Sequence, residues 1–145
     1  GVMVDWEKPF EAIEIGKGRK LKDGKDIAIL TFGHPGNFAA SAIRDVKAEG
    51  LDPAHYDMRF VKPLDERLLH TIFKTHSTLI TVENGVIHGG FGSAILEFAA
   101  THNYKNDVIV KGIPDTFIEH GSVELLQKTL NLDIDSLKKH IKSNL

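Results

Sequence analysis

The stretch best suited to chemistry is a glycine-rich loop between a predicted strand and a predicted helix. It covers residues 83–93 and places Gly89, Gly90 and Gly92 just before Ser93. Glycines at a helix start let a phosphate approach backbone N–H groups, so the loop is a candidate anion site. The alternative is a tight turn that brings the helix close to a strand or a partner subunit.

The spacing in this loop favours the tight turn. The run G-F-G-S-A-I from Gly90 lacks the last glycine of G-x-G-x-x-G, and the sequence contains no Gly-Lys-Ser/Thr of a Walker A loop. Gly92 precedes Ser93, but the G-x-S-x-G elbow of a hydrolase nucleophile is absent. The loop therefore supplies no complete catalytic set.

A second polar stretch is D-M-R-F-V-K-P-L-D over residues 57–65. In a regular strand Asp57 and Arg59 project from the same side, so we predict an ion pair or an interface role rather than catalysis. Asp65 is placed to cap the following helix.

Eight histidines raise the question of a metal site. None belongs to an H-E-x-x-H motif, but His34, His88 and His120 fall in loops predicted at one sheet edge. They could converge on a metal or act as a general base. The alternative is that histidines are common in polar loops, and we predict no metal site.

The loop over residues 113–121 places apolar side chains between a strand and a helix. Phe117 and Ile118 are the apolar members at its centre. Exposed apolar loops typically pack against a neighbour, so we predict a packing surface rather than a cofactor contact.

Composition limits the class of protein. The 145 residues predict one domain, and their net charge of −2 argues against a nucleic-acid partner. The absence of cysteine excludes a thiol nucleophile, disulfides and cysteine-ligated metals. No apolar run approaches the roughly 18 residues of a membrane span, so we expect no membrane partner.

Strand and helix patterns alternate along the chain. This alternation predicts an α/β fold, a three-layer α/β/α, Rossmann-like domain with a mostly parallel sheet whose carboxyl-end loops carry any site. The first helix is expected to be capped by Asn37 and to stop at Gly50. The strands are predicted at 27–32, 56–61, 78–82 and 107–110, and the other helices from 65, over 91–101, over 122–130 and from about 134.

We assign residues 1–18 to an N-terminal arm or linker and residues 19–145 to the domain. Residues 13–15 either pair with 19–21 as a hairpin or lead into the sheet. The chain begins with Gly1 and shows no signal peptide. A processed end, a tag remnant or a piece cut from a longer protein would each explain this start.

Read together, these runs carry a resemblance to a known family. Residues 57–65, 81–84 with 89–93, and 112–121 resemble the C-terminal domain of the 1-deoxy-D-xylulose 5-phosphate synthase family, which is transketolase-like. The resemblance covers essentially the whole chain. Residues 57–65 are its most specific part, because other transketolase-like proteins share the G-G-F-G-S run.

The resemblance implies a transferase that uses thiamine diphosphate and magnesium. Such an enzyme condenses pyruvate with glyceraldehyde 3-phosphate, releasing carbon dioxide, for isoprenoid (terpenoid), thiamine and pyridoxal biosynthesis. The cofactor performs the carbanion chemistry and lies between the first two domains. The third domain packs on these upstream domains and on the homodimer partner, in a cytoplasmic enzyme.

This chain would be that third domain alone, without catalytic, cofactor-binding or metal residues, and we expect it to be inactive by itself with an assembly role. Glu83 is not the cofactor-ring glutamate, which the family carries in another domain. Two alternatives stay open. One is the C-terminal domain of a split transketolase or a 2-oxo acid dehydrogenase β subunit, and the other is a stand-alone anion-binding module. The family motifs give as structural or interface candidates Arg59, Lys62, Asp65, Glu83, Gly89, Gly90, Gly92 and His120.

Overall fold

The computed structural model describes Pro9 and residues 11–144. Residues 1–8 and 10 of the predicted arm lie outside the described residues. The strands are β1 (Arg19–Lys22), β2 (Ala28–Phe32), β3 (Ala54–Asp57), β4 (Thr78–Val86) and β5 (Asp107–Ile113). The helices are α1 (Pro35–Ala48), α2 (Glu66–Thr75), α3 (Phe91–Thr101), α4 (Val123–Thr129) and α5 (Ile134–Ser143).

The five strands form one sheet in the order β1-β3-β2-β4-β5. Strands β3, β2, β4 and β5 run parallel, whereas β1 pairs antiparallel with β3. The mostly parallel sheet is therefore confirmed. Residues 13–15 form no strand, so the hairpin alternative is wrong and these residues lead into β1.

Two apolar cores lie on opposite faces of the sheet. Leu30 points into the core under α2 and α3, and its neighbour Ile29 points into the core under α1 and α5. This alternation follows from the two-residue period of a strand, and it makes β2 buried on both faces. The predicted three-layer α/β/α architecture is confirmed. Within the described part of the chain, no helix is long and apolar enough to cross a membrane.

Helix α1 begins three residues earlier than predicted. Pro35 occupies its first turn and His34 is the N-cap, without a side-chain capping bond, so the assignment of Asn37 as N-cap is wrong. Proline suits this position because its missing N–H would have no helical partner. Gly50 follows the helix with a φ of 95°, and its N–H bonds Lys47 O, as predicted for a helix stop.

Strand β3 ends at Asp57 rather than at Val61. Arg59 adopts a left-handed φ of 57°, which takes the chain out of the extended conformation. Strands β4 and β5 instead extend past their predicted ends, and Val86 pairs with Ile113 after a break in register. Strand β3 is thus shorter, and strands β4 and β5 are longer, than the sequence patterns indicate.

Candidate functional site

Loops at the carboxyl ends of β2 and β4 form the centre of the candidate site. These strands are neighbours, but α1 follows β2 on one face of the sheet and α3 follows β4 on the other. A crevice opens where successive helices leave toward opposite faces, and ligands of open α/β sheets bind there.

Glu83, near the end of β4, caps the N-terminus of helix α3 with its side chain. Its side chain is 2% exposed; Oε2 accepts the N–H of Phe91 at 2.9 Å and Oε1 accepts the N–H of Gly92 at 2.8 Å. The N-cap residue itself, Gly90, has no side chain to do this. A carboxylate of the protein thus occupies the donors that a bound phosphate would need.

The glycines are placed where side chains would collide. A Cβ on Gly90 would overlap the carboxylate of Glu83, and one on Gly92 would overlap Val110. Ser93 holds the loop closed, since its hydroxyl donates to Ile87 O at 2.6 Å and accepts from Gly89 N at 3.0 Å. These contacts fit the tight-turn interpretation rather than an anion site.

The run 57–65 is tied together by carboxylates. Asp57 accepts bonds from Arg19 Nε at 3.0 Å and from the N–H of Arg59 at 3.2 Å, and Arg59 Nε lies 3.8 Å from Asp57 Oδ2. The predicted ion pair is present, although it forms across a turn rather than along a strand. Lys62 is exposed at the end of this turn.

Asp65 joins the arm to the domain. Oδ1 accepts the N–H of Leu68 at 3.0 Å, which is the predicted N-cap bond of α2. Oδ2 accepts the N–H of Gly18 at 3.1 Å, a contact that sequence reasoning did not foresee. One buried carboxylate therefore fixes both the start of α2 and the path of the chain into β1.

The three loop histidines do not converge. His34 and His120 line a cleft of about 440 Å³ together with Asn84, but His88 is not part of its lining. The exposed ring of His88 lies 3.8 Å from Asp115. Among the described residues, no three histidine, aspartate or glutamate side chains are grouped so that they could hold a metal.

One buried histidine escaped sequence reasoning. His55 lies in β3, is 2% exposed, and has Nε2 3.0 Å from Thr31 Oγ1. Burial lowers its pKa to about 4, with Lys22 adding to the effect and Asp57 opposing it. No sequence motif indicates its role, because it is a single histidine in a short strand.

Thiamine diphosphate with magnesium does not fit at the start of α3. The diphosphate would need a metal held by carboxylate or amide oxygens and donors free to bind phosphate. Glu83 and the first N–H groups of α3 satisfy each other.

Exposed apolar side chains lie on helix α4 and in the loop before it. Phe117 is fully exposed, Val123 and Leu125 are largely exposed, and α4 has no buried residue at all. We call Phe117, Val123 and Leu125 the apolar surface. It lies beside the cleft that contains His120. A helix normally buries one face, so α4 is only half packed by the chain itself.

The fold and the closed glycine loop define a Rossmann-like α/β/α domain with an antiparallel edge strand. The model of the family "Transketolase, C-terminal domain" matches residues 16–137. The chain belongs to this family.

The most similar relatives include two bacterial enzymes. The 1-deoxy-D-xylulose-5-phosphate synthase of Cytophaga hutchinsonii is 51% identical over 143 residues, which are 99% of this chain and 22% of that protein. The synthase of Bacteroides thetaiotaomicron is 53% identical over 142 residues, with shares of 97% and 22%. The chain thus spans about a fifth of the length of these relatives.

A solved structure shares the fold. It is a split-gene transketolase described as an inactive β4 tetramer, 29% identical, with a TM-score of 0.84. The match covers 92% of this chain and 43% of that one.

Proposed function

We propose that this chain is the C-terminal domain of a 1-deoxy-D-xylulose 5-phosphate synthase. The observation that carries the proposal is the 51% identity over 143 residues to the Cytophaga hutchinsonii enzyme. The whole protein would be a cytoplasmic homodimer that uses thiamine diphosphate and magnesium. It would join pyruvate to glyceraldehyde 3-phosphate with loss of carbon dioxide, for isoprenoid and thiamine biosynthesis.

Within that protein the domain would support assembly rather than chemistry. Glu83 is already engaged with the backbone of α3, which leaves it no free oxygen for a substrate or cofactor. The apolar surface and the half-packed α4 support docking against the upstream domains or the dimer partner. Residues 19–145 would form the docking unit and residues 1–18 the linker.

The candidate residues divide into two groups, according to whether they are buried or closely packed. Asp65 and Glu83 are buried, and Gly90 and Gly92 meet their neighbours closely, so their role would be structural. The half-buried or exposed members would contact neighbouring domains, and these are Arg59, Lys62, Gly89 and His120.

A domain exchange tests the proposal. The chain replaces the corresponding domain of the Cytophaga hutchinsonii synthase, and product formation from pyruvate and glyceraldehyde 3-phosphate is measured. The matched control receives the domain of the split-gene transketolase. We expect activity only with this chain, and none from the chain assayed alone.

Activity of the isolated chain would refute the assembly role. A soluble but inactive exchange enzyme would refute the synthase assignment.

The 29% identity to the split-gene transketolase supports a second candidate function. In it, the chain would complete a split transketolase or a 2-oxo acid dehydrogenase β subunit. Ketol transfer by the corresponding exchange enzyme would favour this candidate. A stand-alone anion module at residues 89–93 has less support, because Glu83 already fills the helix N-terminus.

A further inference from the structure

We propose that a pocket on the α1 face of the sheet binds a small phosphate monoester. The pocket has a volume of about 290 Å³. We call it the basic pocket, and its chief lining residues are Leu21, Lys22, Ile43, Arg44, Lys47 and His55. Lys22 pairs with His55 at the start of β3, so the pocket lies at the opposite end of the sheet from Glu83.

The charge of the basic pocket favours an anion. Arg44 and Lys47 are one turn apart on α1 and exposed, and no carboxylate of the described residues forms an ion pair with them. Lys22 is held in place by three oxygens, from Asp23 at 2.7 Å, Asp52 at 2.8 Å and Pro53 at 2.9 Å. Asp52 pairs with Lys22, which leaves Arg44 and Lys47 as the two cations of the basic pocket without an ion-pair partner among the described residues.

Arginine and lysine together suit phosphate in particular. The planar guanidinium donates two parallel hydrogen bonds to a phosphate, whereas an ammonium adds a compact charge. Lys22 Nζ already donates to three protein oxygens and pairs with Asp52, so the hydrogen bonds to the phosphate would come from Arg44 and Lys47.

His55 adds a requirement for a hydroxyl group on the ligand. The hydroxyl of Thr31 donates to Tyr56 O at 3.1 Å, so we assign His55 Nε2 as the donor to Thr31 Oγ1. Nδ1 is then an acceptor, and the described residues supply it with no hydrogen-bond partner. The charged groups that face this ring are Lys22 and Asp57.

A phosphate monoester meets both requirements. Its oxygens pair with the cations, and a P–OH or a neighbouring carbinol donates to Nδ1 of His55. Leu21 and Ile43 give the pocket an apolar wall that suits a short carbon skeleton. At about 290 Å³ the volume is near the lower end of small-molecule sites, which favours a three- or four-carbon ester over a nucleotide.

Histidine-ring NMR of the 145-residue chain provides the test. Glycerol 3-phosphate and inorganic phosphate are titrated at constant ionic strength, with glycerol and sodium chloride as blanks. We expect saturable shifts of the His55 ring with glycerol 3-phosphate, weaker ones with inorganic phosphate and none with the blanks. The His55 resonances are identified by their loss in His55→Gln.

A matched pair of variants tests the location. Arg44→Gln/Lys47→Gln is expected to weaken binding at least tenfold, whereas Arg67→Gln/Lys74→Gln removes the same charge from exposed positions on α2, across the sheet, and leaves binding unchanged. Equal weakening by both variants would overturn the proposal, as would a wild-type His55 ring that does not respond. The second outcome needs no variant to fold.

Discussion

The carboxylate of Glu83 occupies the space that a side chain on Gly90 would need. The same carboxylate accepts the N–H groups of the next two residues along the chain. Gly90 and Glu83 therefore act together: the absence of a side chain on Gly90 leaves room for the Glu83 carboxylate, and that carboxylate caps helix α3. This explains why the N–H groups at this glycine-rich helix start are occupied by a carboxylate of the protein itself.

We expect Glu83→Gln to destabilise the chain by about 2 kcal/mol, since the amide keeps one acceptor oxygen and turns an N–H₂ group toward backbone donors. Urea unfolding followed by circular dichroism measures the change. Glu97→Gln is the matched control, because Glu97 is exposed on the same helix, and its cost should stay under about 0.5 kcal/mol. Equal costs would contradict the capping role.

Gly92→Ala is expected to cost about 1–3 kcal/mol, because its Cβ would overlap Val110 and lie 2.7 Å from Thr81 Oγ1. Gly121→Ala is the comparison, since its nearest neighbours lie at 3.4 Å or more and its backbone needs no positive φ. Thermal unfolding of the two variants compares them. A Gly92→Ala variant with unchanged thermal stability would mean that α3 can move away from the sheet.

The buried His55 should make stability fall in mild acid. An unfolded histidine titrates near 6.5 and the folded one near 4, so between these values only the unfolded chain binds the proton. Lowering the pH through this window should remove about 3 kcal/mol from the free energy of unfolding.

His55→Gln keeps a donor for Thr31 but does not titrate, so its stability should change less between pH 7 and pH 4. Urea midpoints at several pH values compare the two proteins. Carboxylates such as Asp52 and Asp133, whose pKa values are lowered, contribute to both proteins alike. Parallel curves would refute the assignment of His55 as the titrating group.

Phe117→Ser should leave the unfolding free energy within about 0.5 kcal/mol, because the ring has no buried contact to lose. In the exchange enzyme of the proposed function, however, it should weaken assembly, which sedimentation velocity reports. Phe91→Ala is the contrast, since that ring is buried and its removal should cost about 3–5 kcal/mol in the isolated chain. Unchanged assembly with Phe117→Ser would exclude this ring as an anchor.

The sheet and its layers could be predicted because they follow from local patterns. The apolar run 27–32 indicates a doubly buried strand, and the Gly50 stop follows from the helix period before it. Ends decided by distant contacts could not be predicted. The left-handed Arg59 terminates β3, and Val86 lengthens β4 by pairing with Ile113.

The site was predicted in composition but not in arrangement. The family motif indicates Glu83, but its hydrogen bonds reach residues eight and nine positions further along the chain, across a turn that no local sequence pattern predicts. His34 and His120 meet at one cleft because both follow parallel strands, whereas His88 turns toward Asp115. The role of His55 cannot be predicted from the sequence, because its lowered pKa results from burial.

The antiparallel direction of β1 determines at which end of the sheet residues 11–18 enter the domain. Arg19 pairs with Asp57 at the carboxyl end of β3, so residues 11–18 reach the sheet at its carboxyl end, and the loop that carries Phe117 follows the carboxyl end of β5. In the proposed function, a linker that enters at this end would keep the apolar surface at a high local concentration near its target, in the millimolar range for short linkers. Even a weak interface would then stay closed, and the domain could separate and return without being lost.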